Sequence, residues 1–399
     1  MTAVHDDAVA LAPDLVELRR ALHREPEIGL QLPRTQEKVL AALAGLPLEQ
    51  VSTGRELTSV TAVLRGGRPG PTVLLRGDMD ALPVTEQTGV PYASQVDGAM
   101  HACGHDLHTA ILVGAARLLS ARQAELPGSV VFMFQPGEEG DGGARLMIGE
   151  GVLEASGERA VAAYGLHVSS SELPCGLFAG RPGAMLAAAD TLEVTVRGRG
   201  GHASRPALAA DPIPVAAEIV TALQVLVTRQ FDVFDPVVIT VGSIHAGTAE
   251  NIIPDYAELG ATIRTFSPGA RARVRDASVR LAEGIAAAHG LTADAVFTDG
   301  YPVTMNDPAE LAFTTSVIDD ALGGGRCVLA PNPITGAEDF AFVLEQVPGA
   351  FVFLGACPPG TDPSAAAYNH SPRAVFDDRV LPDGAELLAE LALRRLARG

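Results

Sequence analysis

The stretch His101-Ala102-Cys103-Gly104-His105-Asp106-Leu107-His108 sets a thiol, three imidazoles and a carboxylate within eight positions. Thiolate and imidazole are the donors that zinc-like divalent cations prefer. The whole chain has only 10 His and 4 Cys, so this concentration marks a candidate metal centre. Further along stand an adjacent acidic pair, Glu138-Glu139, and two more histidines in polar settings, His167 and His370. Cys103, His105, Glu139, His167 and His370 are therefore the candidate ligands. A single tetrahedral site needs four donors, and a catalytic one usually three plus water. Five donors suggest a pair of divalent cations about 3.5–4 Å apart sharing a bridge, for which Cys103 is the natural candidate.

Glu138 and Glu139 lie in the glycine-bounded turn Pro136-Gly137-Glu138-Glu139-Gly140. Adjacent side chains on an extended backbone point apart, so one carboxylate can bind metal while the other serves as general base toward an activated water. A solvated acidic turn is the plain alternative. Asp78 and Asp80, two apart at a strand end, share a face and suit the support of a ligand histidine. Asp106 and His108 read as a helix cap and a supporting side chain. Gly200-Gly201-His202 is a glycine-rich turn with neither a Gly-x-Gly-x-x-Gly nor a Walker pattern, which argues against a nucleotide site. Asn251 and Arg264 could hold a substrate carboxylate. No Gly-x-Ser-x-Gly elbow occurs, which disfavours a serine hydrolase.

These residues need a frame. Apolar residues at helical spacing mark Asp14–Arg24, Thr35–Leu43 and Leu107–Arg122 as helices. Strand-like runs cover Val60–Leu64, Thr72–Leu75, Ser129–Phe134 and Ala160–Leu166, and each of the last three runs into Asp80, Glu138-Glu139 or His167. Strands alternating with helices imply an α/β fold with a mainly parallel sheet, whose ligands bind outside the carboxyl ends of the strands. The middle of the chain reads β-α-β-β-α-β, a ferredoxin-like α+β domain. The expected organisation is a discontinuous metal-binding catalytic domain, residues 1–183 and 301–399, with residues 184–300 inserted as a lid and dimerisation domain.

At 399 residues with 47% hydrophobic content and mean hydropathy +0.21, the chain can bury a large core. A net charge of −19 argues against nucleic-acid and anionic-membrane partners. No apolar run is expected to approach the roughly 20 residues that cross a bilayer. The N-terminus lacks a basic-then-apolar leader pattern, and the cysteines are scattered, so a cytoplasmic location is expected. Lys38 is the only lysine, a matter of composition rather than mechanism.

With those motifs in view, the chain resembles the co-catalytic metallopeptidase and aminoacylase family, in particular the subgroup of hippurate hydrolase, N-acyl-amino-acid amidohydrolases and indole-acetyl-amino-acid hydrolases. The resemblance runs through Leu22-His23-Arg24-Glu25-Pro26-Glu27, Gly77-Asp78-Met79-Asp80, Cys103-Gly104-His105-Asp106, Gln135-Pro136-Gly137-Glu138-Glu139-Gly140, Gly201-His202, Asn251-Ile252-Ile253-Pro254, Gly336-Ala337-Glu338-Asp339-Phe340 and Asn369-His370. It implies Cys103, His105, Glu139, His167 and His370 as ligands of two divalent metals (zinc, manganese, nickel or cobalt), Glu138 as general base and Asp80 as a supporting carboxylate. It further implies a homodimer, with His202 stabilising the oxyanion, often across the dimer, and Asn251 and Arg264 holding the substrate carboxylate. Peptidase branches carry His where this chain has Asp78 and Asp where it has Cys103. That departure points to a small-molecule N-acyl amino acid as substrate, with a metallo-dipeptidase or carboxypeptidase as the nearest rival and a non-catalytic metal-binding module as the remaining one. His245-Ala246-Gly247 stands where a Gly-Gly pair is usual, which touches only local loop shape.

Overall fold

In the computed structural model, residues 3–398 are described, and the chain separates into two compact units. The larger comprises Met1–Met185, Met305–Asn332 and Asp339–Gly399; the smaller comprises Leu186–Thr304 and Pro333–Glu338. Residues Pro333–Glu338 group with the smaller unit because Ala187 N–H is directed at Ile334 O and Gly336 O, at 3.0 and 2.9 Å.

The larger unit is built on an 8-stranded sheet. Its middle strands are parallel: Pro127–Gln135, Arg68–Asp78, Ala160–Ser169 and Gly349–Gly355 lie side by side in that order. Three of them are buried along nearly their whole length, and Arg68–Asp78 is buried from Thr72 onward, as strands covered on both faces must be. Antiparallel strands Gln50–Thr53 and Val60–Arg65 extend one edge. The helices Ala3–Arg24, His105–Ser120 and Leu381–Ala397 contribute Leu15, Ile111, Leu118, Ala385 and Leu388 to one continuous core with the sheet.

Two details differ from the sequence reading. The first helix begins at Ala3 rather than after Pro13, which lies inside it. Burial of Val4 and Ala8 offsets what the proline costs the helix. The strand at Arg68–Asp78 runs to Asp78 itself, so Asp78 is in the sheet and Asp80 just beyond it.

In the smaller unit, Ala188–Arg197, Val237–Ala246, Tyr256–Thr265 and Thr292–Tyr301 form a 4-stranded antiparallel sheet, with helices Pro212–Gln230 and Pro268–Ala288. The third strand lies between the second and the first, and the fourth closes the far side of the first, which is the ferredoxin-like order. Helix Pro212–Gln230 corrects one expectation: it is 19 residues long and, by length and composition, apolar enough to cross a membrane. Its Val215, Ala216, Ile219, Leu223 and Leu226, at helical spacing, are buried in the core of this unit, while Ile213 and Val225 are exposed, so core burial accounts for part of the apolar run.

Candidate metal centre

The five candidate ligands all lie in the larger unit and converge. Donor atoms of Cys103, His105 and His167 lie within 4.8 Å of one another, and so do those of Cys103, Glu139 and His370. Cys103 belongs to both groups: its Sγ is 3.3 Å from His167 Nε2 and 3.2 Å from His370 Nε2. The Glu138 carboxylate falls within the same 4.8 Å of His105 and Glu139 donors.

Each side chain is brought there by local backbone chemistry. Gly104 has φ +87, a left-handed conformation, and opens helix His105–Ser120. A Cβ at Gly104 would stand 2.4 Å from Val168 Cγ2, so only glycine lets the chain turn between the Cys103 thiol and the His105 ring. Asp106 does not cap this helix, which has no side-chain cap. Its carboxylate is instead buried against Arg19 Nε at 2.8 Å and His23 Nδ1 at 2.7 Å.

Gly137, at φ +72, makes the corresponding turn before Glu138-Glu139. Asp80 secures that turn, with Oδ1 accepting from Glu138 N and Oδ2 from Glu139 N, both at 3.0 Å. The same Oδ1 lies 3.4 Å from His105 Nδ1. Asp339 N–H adds a contact to Glu138 Oε1 at 3.4 Å.

Hydrogen bonds fix two of the histidine tautomers. His167 Nδ1 donates to Val168 O at 2.8 Å, since a carbonyl can only accept, which leaves the Nε2 lone pair facing Cys103. His108 is the reverse case. Val168 N–H donates into its Nε2 at 2.8 Å, so its proton sits on Nδ1 and goes to Asp78 Oδ1 at 2.5 Å. Both nitrogens of His108 are thereby used within the protein, which makes it a support and not a ligand.

Beneath lies a buried charge network. The fully enclosed Arg76 guanidinium contacts Asp78 Oδ2 at 2.5 Å, Gln135 Oε1 at 2.9 Å and Asp339 Oδ1 at 3.1 Å. Asp339 also receives Ala144 N at 2.9 Å. Burial alone would raise the Asp78 carboxyl, but Arg76, His105 and His108 hold it well below the usual carboxylate range.

The donor set fits cations on structural grounds. Both ring nitrogens of His105 and Glu139 Oε1 are buried without a well-formed hydrogen bond, a costly arrangement unless something else satisfies them. Cys103 and Glu139 draw the His370 pKa up to about 10. Burial would push His105 down, yet Asp78, Asp80 and Cys103 carry it well above its ordinary value. Burial and Glu139 raise the Cys103 thiol. Anionic donors crowded around imidazoles attract positive charge, and a divalent ion answers that demand better than protons.

The remaining predicted residues are in the smaller unit. His202 and Asn251 are neighbours: Gly201–His202 pairs antiparallel with Ile252–Ile253, and Ala203 N donates to Asn251 O at 3.1 Å. Ser204 N donates into His202 Nδ1 at 3.1 Å, so the ring proton is on Nε2, on an exposed side chain. Arg264 is not with them. It is half-buried near the far end of strand Tyr256–Thr265, opposite Ala189 and Val238. The sequence reading missed Arg76 as a member of the site. An arginine directly after the apolar run Val73-Leu74-Leu75 in a strand was the available signal. Asp339 and Asn369 were picked out only as parts of motifs, without roles.

The sequence profile of peptidase family M20/M25/M40 matches residues 74–394. The chain belongs to this family. It is 38% identical over 379 residues to N-acetylcysteine deacetylase of Bacillus subtilis, covering 95% of this chain and 96% of that protein. It is 38% identical over 385 residues to thermostable carboxypeptidase 2 of Saccharolobus solfataricus, covering 95% of each. Among solved structures, the YXEP protein of Bacillus subtilis, described as a dinuclear metal-binding peptidase of the M20 family, superposes with a TM-score of 0.84 at 35% identity, covering 97% of this chain and 99% of that one.

Proposed function

We propose that this protein hydrolyses the amide bond of N-acyl amino acids, releasing a carboxylate and a free amino acid, with two divalent cations at the Cys103 centre. The observation that carries this reading is the sharing of Cys103 between two donor groups with Glu138 beside them. Cys103, His105 and His167 would hold one ion and Cys103, Glu139 and His370 the other. Bound there, the ions would polarise the scissile carbonyl and lower the pKa of an attacking water toward about 7. The Glu138 carboxylate takes the proton of that water and returns it to the leaving nitrogen. Asp80 holds the turn that aims it. Thiolate and imidazole donors suit zinc, nickel or cobalt, while carboxylates also admit manganese.

His202 supplies an Nε2–H for the oxygen on which charge builds, and Asn251 and Arg264 bind the substrate carboxylate. Strand Tyr256–Thr265 separates the His202–Asn251 pair from Arg264 by about eight residues, or roughly 26 Å. One small substrate does not span that distance, which supports a homodimer in which His202 and Asn251 come from a second copy. The four free cysteines fit a reducing, cytoplasmic setting.

A carboxypeptidase reading on the same centre has the similarity to thermostable carboxypeptidase 2 in its favour. The test is hydrolysis of a panel of N-acetyl and N-benzoyl amino acids and dipeptides by chelated protein reloaded with one metal at a time. Turnover of N-acyl amino acids above dipeptides is expected, and the reverse order selects the peptidase. Glu138→Gln should keep metal and fold while losing about 10²–10⁴ in turnover. Near-parental activity in that variant removes Glu138 from its role.

A further inference from the structure

We infer that Asn369 is a positioning residue whose single side-chain amide locks the Cys103, His167 and His370 segments into one donor geometry; this rests on the reading of those three as metal ligands. Its Nδ2 donates to Cys103 O at 3.2 Å and Val168 O at 3.0 Å, and lies 3.9 Å from Cys103 Sγ. Its Oδ1 accepts from Ser170 N and Ser170 Oγ, both at 3.0 Å. The amide orientation is unambiguous, because the two carbonyls can only accept and the Ser170 main-chain N–H can only donate.

The partners are what give this residue its reach. Val168 O is the same carbonyl that receives His167 Nδ1–H, so Asn369 helps fix the atom that sets the His167 tautomer. Cys103 is held at its carbonyl, and the same Nδ2 lies beside its sulfur, so the backbone that aims the Sγ is fixed by this amide. His370 follows directly in sequence and has φ +71, a backbone conformation that a non-glycine residue keeps only when its surroundings enforce it. Asn369 on one side, and His370 N–H donating to Ala102 O at 2.8 Å, supply that enforcement. The bonds join positions 103, 168–170 and 369, which no local stretch of sequence could tie together.

The experiment compares full-length parent, Asn369→Ala, Asn369→Asp and Cys103→Ala by zinc affinity and stoichiometry in equilibrium dialysis, and by the thiolate-to-cobalt charge-transfer band of the cobalt-loaded forms. Asn369→Ala should bind zinc about 10–100-fold more weakly and show a weakened or shifted cobalt band. Asn369→Asp, isosteric with the parent, keeps an acceptor for Ser170 but turns an oxygen toward two carbonyls. It should lose at least as much, and it carries the test if the alanine variant does not fold. Parent-like affinity and band in a folded Asn369 variant, with both lost in Cys103→Ala, would overturn the role of Asn369 alone. An unchanged Cys103→Ala would instead overturn the ligand assignment, and the role of Asn369 with it.

Discussion

Asp80 accepts the main-chain N–H of Glu138 at 3.0 Å, and its other oxygen takes the N–H of Glu139 at the same distance. One carboxylate thus sets the direction of both acids, the proposed base and the proposed ligand, while facing His105 Nδ1 at 3.4 Å. Asp80→Asn preserves size but replaces one acceptor with a donor, so one of the two N–H groups loses its partner and the turn loosens. Turnover should fall about 10–100-fold, with a smaller change in KM. Steady-state kinetics alongside metal analysis decides this, and a parental kcat would show that the Glu138 turn holds without Asp80.

What the sequence made legible was local. Cys103 with His105 stands out as two metal-type donors two residues apart in a chain with only 4 Cys and 10 His, whereas Glu138 with Glu139 reads equally well as a solvated acidic turn until the other donors are seen around it. Asp80 and His167 follow from the rule that parallel strands deliver chemistry at their carboxyl ends, and the strands are where that rule needs them. His370 stood out only as a histidine in a polar setting, with no strand end or donor pair beside it, and the resemblance gave it the same place. Arg76 pairs with Asp339 across 263 positions, and Asn369 reaches Cys103 across 266. Periodicity carries no trace of contacts of that kind. The helix start at Ala3 escaped for another reason: Pro13 reads as a breaker, and only tertiary burial of Val4 and Ala8 overrides it.

Arg76 contacts both Asp78 and Asp339, and all three side chains are fully enclosed. Removing it takes that positive charge from two buried carboxylates, although Asp78 keeps His108 Nδ1–H and Asp339 keeps Gln135 Nε2–H and Ala144 N–H. Arg76→Met should cost about 3–5 kcal/mol in urea unfolding, because an uncompensated buried charge is far dearer than a missing surface pair. A loss of less than about 1 kcal/mol would mean that water or rearrangement reaches this network, and that the floor of the metal centre is not the sealed structure described.

Glu86 offers a pH test that does not depend on bound metal. Burial pushes the Glu86 carboxyl up, but His23, the Ser94 N–H at 2.6 Å and Thr88 outweigh it and bring the pKa from 4.5 down to about 2. A carboxylate whose pKa is lower in the folded state stabilises that state fully above its unfolded value. The contribution drains away as pH falls through the interval between the two values. The parent should therefore lose more thermal stability between about pH 5 and about pH 2.5 than Glu86→Gln, since every other carboxylate is common to both. Above pH 5 the difference in Tm between them should be constant, provided His23 keeps its proton, as its raised pKa beside Asp106 and Glu86 favours against the opposing effect of burial. Tm measured by calorimetry across this range is the check. Parallel profiles for the two proteins would show that Glu86 titrates as an ordinary surface acid, and that His23 is held by Asp106 alone.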